Sequence, residues 1–575
     1  MSCRSPSSRE DARRPRGGAF AASHRTAVLR VPGGGVGSTD AGLDCMDPSD
    51  RASGAATGTS PLGFGRLVVG ALLLPLLLTQ VSGVSGVSGP RLDAAEQAPL
   101  AEAIIDRYAA MPLPEWTPDT AKVHGPRVAL AKLTRGVDVA AVNAWLGDAH
   151  PWSDNGSTWF GHEGDYDFTL VTLTRILHRF ADRPERLYPA TRRHLLETLL
   201  TARGGEPRRT VPRTHGLVIE TENHVLMTEG SRYLRAQFLA ADGRADAARS
   251  QQQLADFLAG DLQRRIDRGF TEFNSIPYAG YTAQALLNLA DFAADAEVRD
   301  RAVTLLDREA MRYARSSLNF RRCVPFHRKA EYRGLNGLRE GPWTSLMMTW
   351  CGVDADGNAF TWNDVPRRHM AVNAALADYR PPPEAVALAS RKTETGTASW
   401  THAAHLCPTT ERHAYGPGHL ISAATPGPDL LGKTVARPAV VLLRDGVRRV
   451  DRCIRVVDPS PLHKRDAVVQ PRLLVATGRL HMPRRFPLAH RADPWRLYKL
   501  HAGDASEPGP AWAAAYQGEG FALVTLLDAA AVNDPSRFLQ ALAAANPNPH
   551  TLRQRFVLPG GETARYPAVG PRMSQ

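Results

Sequence analysis

The stretch ETENHVLMTEGSRYLRAQFLA, Glu220–Ala240, governs how this chain is read. From Leu226 onward it is an amphipathic helix, with Met227, Gly230, Leu234 and Phe238 recurring at helical spacing. One step further back the stripe lands on Asn223, with His224 beside it and Glu222 just ahead. An amide and an imidazole therefore stand where the buried face of a helix should begin.

The same period extends in both directions. From about Ala94 to Tyr379 the segments AEAIIDRYAA, VAAVNAWLGDA, DFTLVTLTRILHRF, TRRHLLETLLTAR, QQQLADFLAGDLQRRI, YAGYTAQALLNLADFA and EVRDRAVTLLDREAMRYARSS predict helices in successive pairs. Polar, Gly- or Pro-bearing connections separate them, and no strand pattern intervenes. Long runs of helical hairpins stack as a solenoid or close as a ring, and the fixed-length repeat of a solenoid is absent. The pattern predicts an α/α toroid over residues 92–385. RPPPEA, Arg380–Ala385, breaks it. Beyond that point GHLISAAT, RPAVVLLRDGVRRV, DRCIRVVD, RLLVATGRL, WRLYKL, AWAAAYQ and FALVTLLD are short apolar runs bounded by turn residues. They predict an antiparallel β-sandwich-like domain over 386–575, with one late helix in SRFLQALAAA. The expected fold class is α+β, in more than one domain.

At 575 residues the chain is long enough for several cores. Residues 1–64, rich in Arg, Gly, Ser and Pro, read as a disordered leader. The apolar run from Leu67 to Leu78, within 65–91, is about a dozen residues, which suits a signal-peptide core or a short N-terminal anchor. The expected location is secreted, periplasmic or at the cell envelope. Cys323, Cys351, Cys407 and Cys453 follow the leader without CxxC spacing, so a zinc site of that kind is not expected. The net charge of +12 suits an acidic polymer as partner, or reflects an Arg-rich composition. No basic run interleaved with aromatics points to nucleic acid, and no motif specifies an oligomeric state.

A second polar segment, GFTEFNSIPYAGYTAQALLNLADFA, carries Glu272, Asn274, Tyr278 and Tyr281. Ser275 reads there as an N-cap and Pro277 as part of the first helical turn. Tyr278, Tyr281, Thr282, Ala285, Leu286 and Leu289 share one face, so two tyrosines stand at the start of an apolar stripe, as Asn223 and His224 do on the other helix. Each alone is explained by capping or packing. Together they suggest a site.

Asn, His and Tyr in one place fit β-elimination on a uronic acid. The C5 proton is weakly acidic until the adjacent carboxylate is neutralised by an amide, an imidazole or an Arg. A base then removes the proton and an acid protonates the departing oxygen. A tyrosine whose pKa is lowered by nearby cations can do both in turn. The NH pair opening one helix, the FxExNSxxYxxYT-type segment, the helical ring and the C-terminal β domain resemble the α/α-toroid polysaccharide lyases, including alginate lyases and heparinase II/III-like proteins. ETENH and NSxxY are also similar to segments of exported bacterial proteins of unassigned activity. The lyase resemblance implies Asn223 and His224 at the substrate carboxylate, Tyr278 or Tyr281 as base and acid, and a uronate-containing polysaccharide as substrate. The Arg expected ahead of the tyrosine has no counterpart at matching spacing.

WFGHEGDYDF offers Trp159 and His162 as sugar-binding candidates beside Asp165 and Asp167, with Trp152 just ahead. FRRCVPFHRKAEYRG offers Arg321 and Arg322 for acidic sugars, and Glu222, Glu272 and Asn274 complete the expected binding set. Histidines 162, 215, 224 and 327 show no HxxxH pair, so no metal or other cofactor is expected. Two other readings stay open. One is a toroid glycoside hydrolase using Glu222 and Glu272 or Asp165 and Asp167 as paired carboxylates. The other is a glycan-binding envelope protein without catalysis.

Overall fold

A computed structural model describes residues 99–157, 164–201, 209–211, 217–322, 326–327, 337–402, 408–425, 434–435, 439–457, 466–500 and 509–570. The expected leader and apolar run lie outside these residues, as do Trp159 and His162. The described residues fall within one compact unit, Val84–Gln575. Helices fill its first half and antiparallel sheets its C-terminal part.

The helices are α1 (Pro99–Ala109), α2 (Pro118–Val123), α3 (Gly125–Arg135), α4 (Val139–Gly147), α5 (Asp167–Phe180), α6 (Pro189–His194), α7 (Glu222–Ala241) and α8 (Ala245–Arg268). After them come α9 (Ala279–Phe292), α10 (Ala296–Arg315), α11 (Pro342–Cys351), α12 (Arg368–Leu376), α13 (Pro383–Ser390) and, at the end of the β part, α14 (Pro535–Ala545). Two kinds are distinguished by burial. In α5 every residue from Asp167 to Leu177 is buried, in α7 every residue from Glu222 to Ser231, and in α9 every residue from Gly280 to Leu289. In α8 and α10 only one stripe is buried. A helix covered all round is an inner helix, and one with a single apolar stripe is an outer one. α3 packs on α5, α5 on α7, α7 on α9, α9 on α12, and α12 on α3.

Buried cations tie these inner helices together. Arg127 of α3 donates to Gln284 of α9 (2.8 Å). Arg175 of α5 donates to Asn288 and Asp291 of α9 (3.0 and 2.8 Å) and to the Leu376 carbonyl of α12 (3.1 Å). A buried guanidinium is costly unless it is hydrogen-bonded, so these bonds tie α3, α5, α9 and α12 to one another. Gly280 allows the start of α9 to come close to α11 and α12. A Cβ there would lie 2.6 Å from Pro342 and 2.7 Å from the Met370 sulfur.

Three helices differ from the sequence expectation. In TRRHLLETLLTAR, α6 gives way to a π-helical turn over Leu195–Leu199. α9 starts at Ala279 with Tyr278 in the cap position. Ser275 and Pro277 therefore belong to a preceding turn rather than to the helix. α13 begins inside RPPPEA, because proline at the first helical position gives up only an N–H that has no intrahelical partner.

The C-terminal part contains two six-stranded antiparallel sheets. The first runs Arg479–His481, Ile454–Val457, Ala439–Leu443, His419–Thr425, Thr409–Gly416, Gly396–His402. The second runs Ala467–Gln470, Leu473–Thr477, Phe521–Leu527, Trp512–Gln517, Trp495–Lys499, Leu488–Ala492. Ile421, Val441 and Val456 of the first share a core with Leu474, Ala513 and Val524 of the second. The far side of the second sheet is covered by Leu539 and Leu542 of α14. On the first sheet, Leu420, Val440 and Leu442 pack against Ile276 and Leu318 from the helical half. The segment that precedes Tyr278 is thus seated on the sheet.

Candidate functional site

Side chains from the starts of several helices meet around Phe168. Its ring centroid lies 5.4 Å from that of His224, 4.4 Å from Tyr281 and 6.0 Å from Tyr278. Lys122, at the end of α2, places its ammonium 4.1 Å from the same ring. His369, at the start of α12, lies 6.5 Å from Tyr281, ring to ring. The histidine of the NH pair and both tyrosines therefore share one neighbourhood, although 54 to 57 positions separate them in sequence (281 − 224 = 57; 278 − 224 = 54).

The turn into α5 builds the anionic side of the cluster. Asp165 adopts a positive φ of 72°, and its N–H and that of Tyr166 donate to Gly156 and Asp154 (2.8 and 3.1 Å). Non-glycine residues in this conformation are costly, and they concentrate at functional sites. Asp165 then receives Lys122 Nζ at 2.7 Å, while Asp167 receives His224 Nδ1 at 2.7 Å. Burial would push the imidazole down. The Asp167 carboxylate and its hydrogen bond, helped by Glu220 and Asp165, outweigh burial and raise His224 to about 9. At neutral pH His224 is an imidazolium. With Nδ1 committed to Asp167, its remaining N–H is Nε2.

Asn223 lies in the first turn of α7, behind Thr221 in the cap position. Its Oδ1 accepts the Thr221 hydroxyl at 2.5 Å. Its Nδ2 is buried with no hydrogen-bond partner among the described residues. An unmet buried N–H costs about 1–3 kcal/mol, which an anionic ligand oxygen would relieve.

Glu222 serves the backbone, accepting the Glu272 N–H at 2.5 Å and so bracing α7 against the segment that leads to Tyr278. Glu220 does the same, accepting N–H groups of Ser157 and Thr221 (3.1 and 3.0 Å). Glu272 and Asn274 are buried in that segment, where Asn274 takes a positive φ of 49°.

The two tyrosines are not equivalent. Tyr281 is 5% exposed, and burial raises its pKa despite the opposing fields of Arg127, Lys122 and Arg367. The sequence expectation of a tyrosine with its pKa lowered by cations fails for Tyr281, because desolvation exceeds the attraction. Tyr278, one turn earlier, is only half-buried. His369 is held neutral, pushed down by burial and then by Arg127, Arg367 and His124.

Asp165, Asp167 and His224 offer donor atoms within 4.8 Å of one another, a spacing compatible with a metal ion. Lys122 occupies one oxygen of Asp165 and His224 one oxygen of Asp167, while Asp167 Oδ1 is buried with no partner among the described residues.

Arg321 and Arg322 lie outside the cluster and correct the expectation of a sugar-binding loop. A two-residue turn, Asn319 and Phe320 with φ of 48° and 55°, folds them back onto Ser317 and Leu318. Both are buried. Arg321 donates to Leu443 and Val447 carbonyls (2.7 and 2.8 Å), and Arg322 to the Ser316 hydroxyl (3.1 Å). The Arg321 guanidinium ties the two halves of the unit together, and that of Arg322 stays within the helical half. Trp152 meets Tyr166 edge-on at 5.7 Å, a packing contact.

Sequence reasoning missed Lys122, Arg127, Phe168 and His369, which carry no motif of their own. It also missed the support beneath the Tyr278 segment. There Phe273 stacks on His402, and Glu411 accepts from His402 (2.7 Å), Arg312 (2.5 Å) and His413 (3.2 Å).

Comparison with models of known families and with curated proteins found no match.

Proposed function

We propose that this protein is a polysaccharide lyase that cleaves a uronate-containing glycan by β-elimination. The observation that carries the reading is the buried His224–Asp167 pair beside Asn223 and the two tyrosines. An imidazolium N–H and an unmet amide N–H are suited to a substrate carboxylate. By stabilising the enediolate as it forms, they would acidify the C5 proton. Tyr278, half-buried, has the access to take that proton as the base. The electron pair left at C5 forms the C4=C5 double bond as the C4–oxygen bond breaks, and the tyrosine returns the proton to the departing oxygen. Tyr281 stays a phenol behind it, and Lys122 supplies positive charge near both.

The helical half is best read as an α/α toroid. The order of contacts from α3 through α5, α7, α9 and α12 back to α3, with all-round burial of those helices, supports that reading. Among the described residues no helix is long and apolar enough to cross a membrane. The apolar run in the leader favours export, where an acidic polysaccharide would be met.

The hydrolase reading is less favoured, because in the pair Asp165 and Asp167 each carboxylate holds a cation, and in the pair Glu222 and Glu272 one Glu222 oxygen is spent on the Glu272 backbone N–H. The test is ultraviolet absorbance of the unsaturated uronate product, with a panel of polyuronates and glycosaminoglycans. Absorbance that rises with the parent protein and not with His224→Ala supports elimination. New reducing ends without absorbance would overturn it.

A further inference from the structure

A cleft of about 610 Å³ opens between the start of α12 and the β part, and His369 in its wall lies 6.5 Å from Tyr281, ring to ring. Its charge is lopsided. Arg339, Arg367, Arg368, Arg448 and Arg449 line it against only Glu340 and Asp364. Three of the five guanidiniums are committed in part. Arg367 donates to the Glu340 carbonyl (2.8 Å), Arg368 to that of Trp362 (3.0 Å), and Arg449 to Asp451 (2.9 Å). The side chains of Arg339 and Arg448 make no hydrogen bond or ion pair among the described residues, and Arg339 Nε is buried without a partner. Asp364 places one oxygen on the Thr361 N–H and hydroxyl (2.9 and 2.7 Å). Burial lowers the pKa of Arg339, and the like charge of Arg448 lowers it further.

Two cations held close together in a cleft repel. The Asp364 carboxylate lies in the field of both, but at Arg339 the repulsion from Arg448 outweighs it, so an added anion would relieve the pair. Trp362, with Arg368 stacked 4.7 Å over its ring, adds a flat apolar surface of the kind that receives a sugar face. We infer that this cleft is an oxyanion subsite, in which Arg339 and Arg448 bind a carboxylate or sulfate on a sugar next to the reacting one. The inference rests on the glycan reading above and deepens it. The substrate carries a second anionic group, which the helical half and the β part recognise together.

The experiment is calorimetric binding of the full chain, at low and high salt, to an oligogalacturonate, a sulfated glycosaminoglycan oligosaccharide, a neutral cello-oligosaccharide and a single-stranded oligonucleotide. Arg448 is exposed, so Arg448→Gln serves beside the double variant Arg339→Gln/Arg448→Gln should the latter fold poorly. Loss of charge-assisted bonds should loosen anionic oligosaccharides roughly tenfold. The neutral oligosaccharide should bind in neither protein. A stronger effect on the sulfated ligand than on the carboxylated one identifies sulfate as the group recognised, and the reverse identifies carboxylate. Unchanged affinity in both variants overturns the subsite. Equal Arg-dependent binding of the oligonucleotide overturns its assignment to saccharide. Arg-dependent binding without unsaturated product would leave the subsite standing and remove the lyase reading. Product formation with an unchanged KM in the variants would do the opposite.

Discussion

The ring of His402, on the outermost strand of the first sheet, lies flat on Phe273, with centroids 3.9 Å apart and planes 8° from parallel. Phe273 sits between Glu272, whose N–H is held by Glu222, and Asn274, which takes a left-handed conformation. The β part therefore reaches the candidate site through this aromatic stack, beside the packing of Ile276 on the sheet. Behind it Glu411 is fixed by Arg312 and by two histidines, and its carboxyl lies well below the usual range. Burial opposes that shift, and Arg312 and the histidine hydrogen bonds overcome it.

If this stack sets the angle of the Tyr278 segment, Phe273→Leu should reduce turnover more than it reduces stability. Loss of the stack alone is worth about 0.5–1.5 kcal/mol. A fall in kcat of roughly tenfold or more, with KM little changed and a modest drop in Tm, is the expected pattern. A large loss of Tm with unchanged kcat would mean that the stack only holds the two halves together.

His224 makes stability and activity depend on pH in a defined direction. The folded protein holds its proton up to about 9, against an ordinary value of 6.5. The stabilisation is therefore complete below about 6.5 and is lost as pH rises through 9. Turnover that needs the imidazolium should fall over the same alkaline range. Asp167→Asn removes the main partner, so it should move the alkaline limb to lower pH. An unchanged limb in that variant would assign the titration to another group.

Much of the helical half is legible because its signal is periodic, and DFTLVTLTRILHRF coincides with α5 from end to end. α3 and α12 are harder, since Gly125–Pro126 and Arg367–Arg368 look like loop residues and burial on all sides removes any polar face to contrast with. The strands Gly396–His402 and Thr409–Gly416 are hidden for a related reason. Their inward positions include His402, Glu411 and His413, so the apolar alternation that marks a strand is replaced by a polar one. Asn223, His224, Tyr278 and Tyr281 stand out as polar residues interrupting apolar stripes. Lys122 does not, because an exposed-looking lysine at the end of a short capped helix is ordinary until the fold sets it against Asp165.

Lys392 offers an independent test of the interface between the halves. Its ammonium is buried, with Nζ donating to Ala314 and Leu388 carbonyls (2.8 and 3.2 Å), and burial pushes it down from 10.5 to about 7. Between those values the unfolded chain binds the proton and the folded one does not. This group therefore makes stability rise with pH from about 7 to 10.5 and contributes no slope below 7. Lys392→Met should flatten that part of the curve in urea unfolding followed across pH. Equal slopes in the two proteins would show that the lysine stays charged when folded.

Glu222 separates elimination from hydrolysis. Its carboxylate accepts a backbone N–H at 2.5 Å, a bond that an amide oxygen can also accept. Glu222→Gln should therefore keep the brace and retain activity to within about tenfold, with stability lowered by about 1–2 kcal/mol for the lost charge on the acceptor. A general acid or nucleophile would behave otherwise. Removal of either typically costs orders of magnitude, and such a loss on a well-folded variant would return the reading to a hydrolase.

The tyrosines give the sharpest division of roles. Tyr278 is half-buried and able to meet substrate, whereas Tyr281 is 5% exposed and kept protonated by its surroundings. Tyr278→Phe should lower kcat by about 10²–10⁴, the range for loss of a general base and acid, with the folded structure intact. Tyr281→Phe keeps the edge-on contact with Phe168 at 4.4 Å and the cavity shape, so it should cost far less. Stopped-flow absorbance of product formation in each variant, with circular dichroism to verify folding, reads the difference. If the larger loss falls on Tyr281, the buried phenol is the proton carrier. Arg127, whose guanidinium lies 5.7 Å from that ring, would then be the group that lets it ionise when substrate binds.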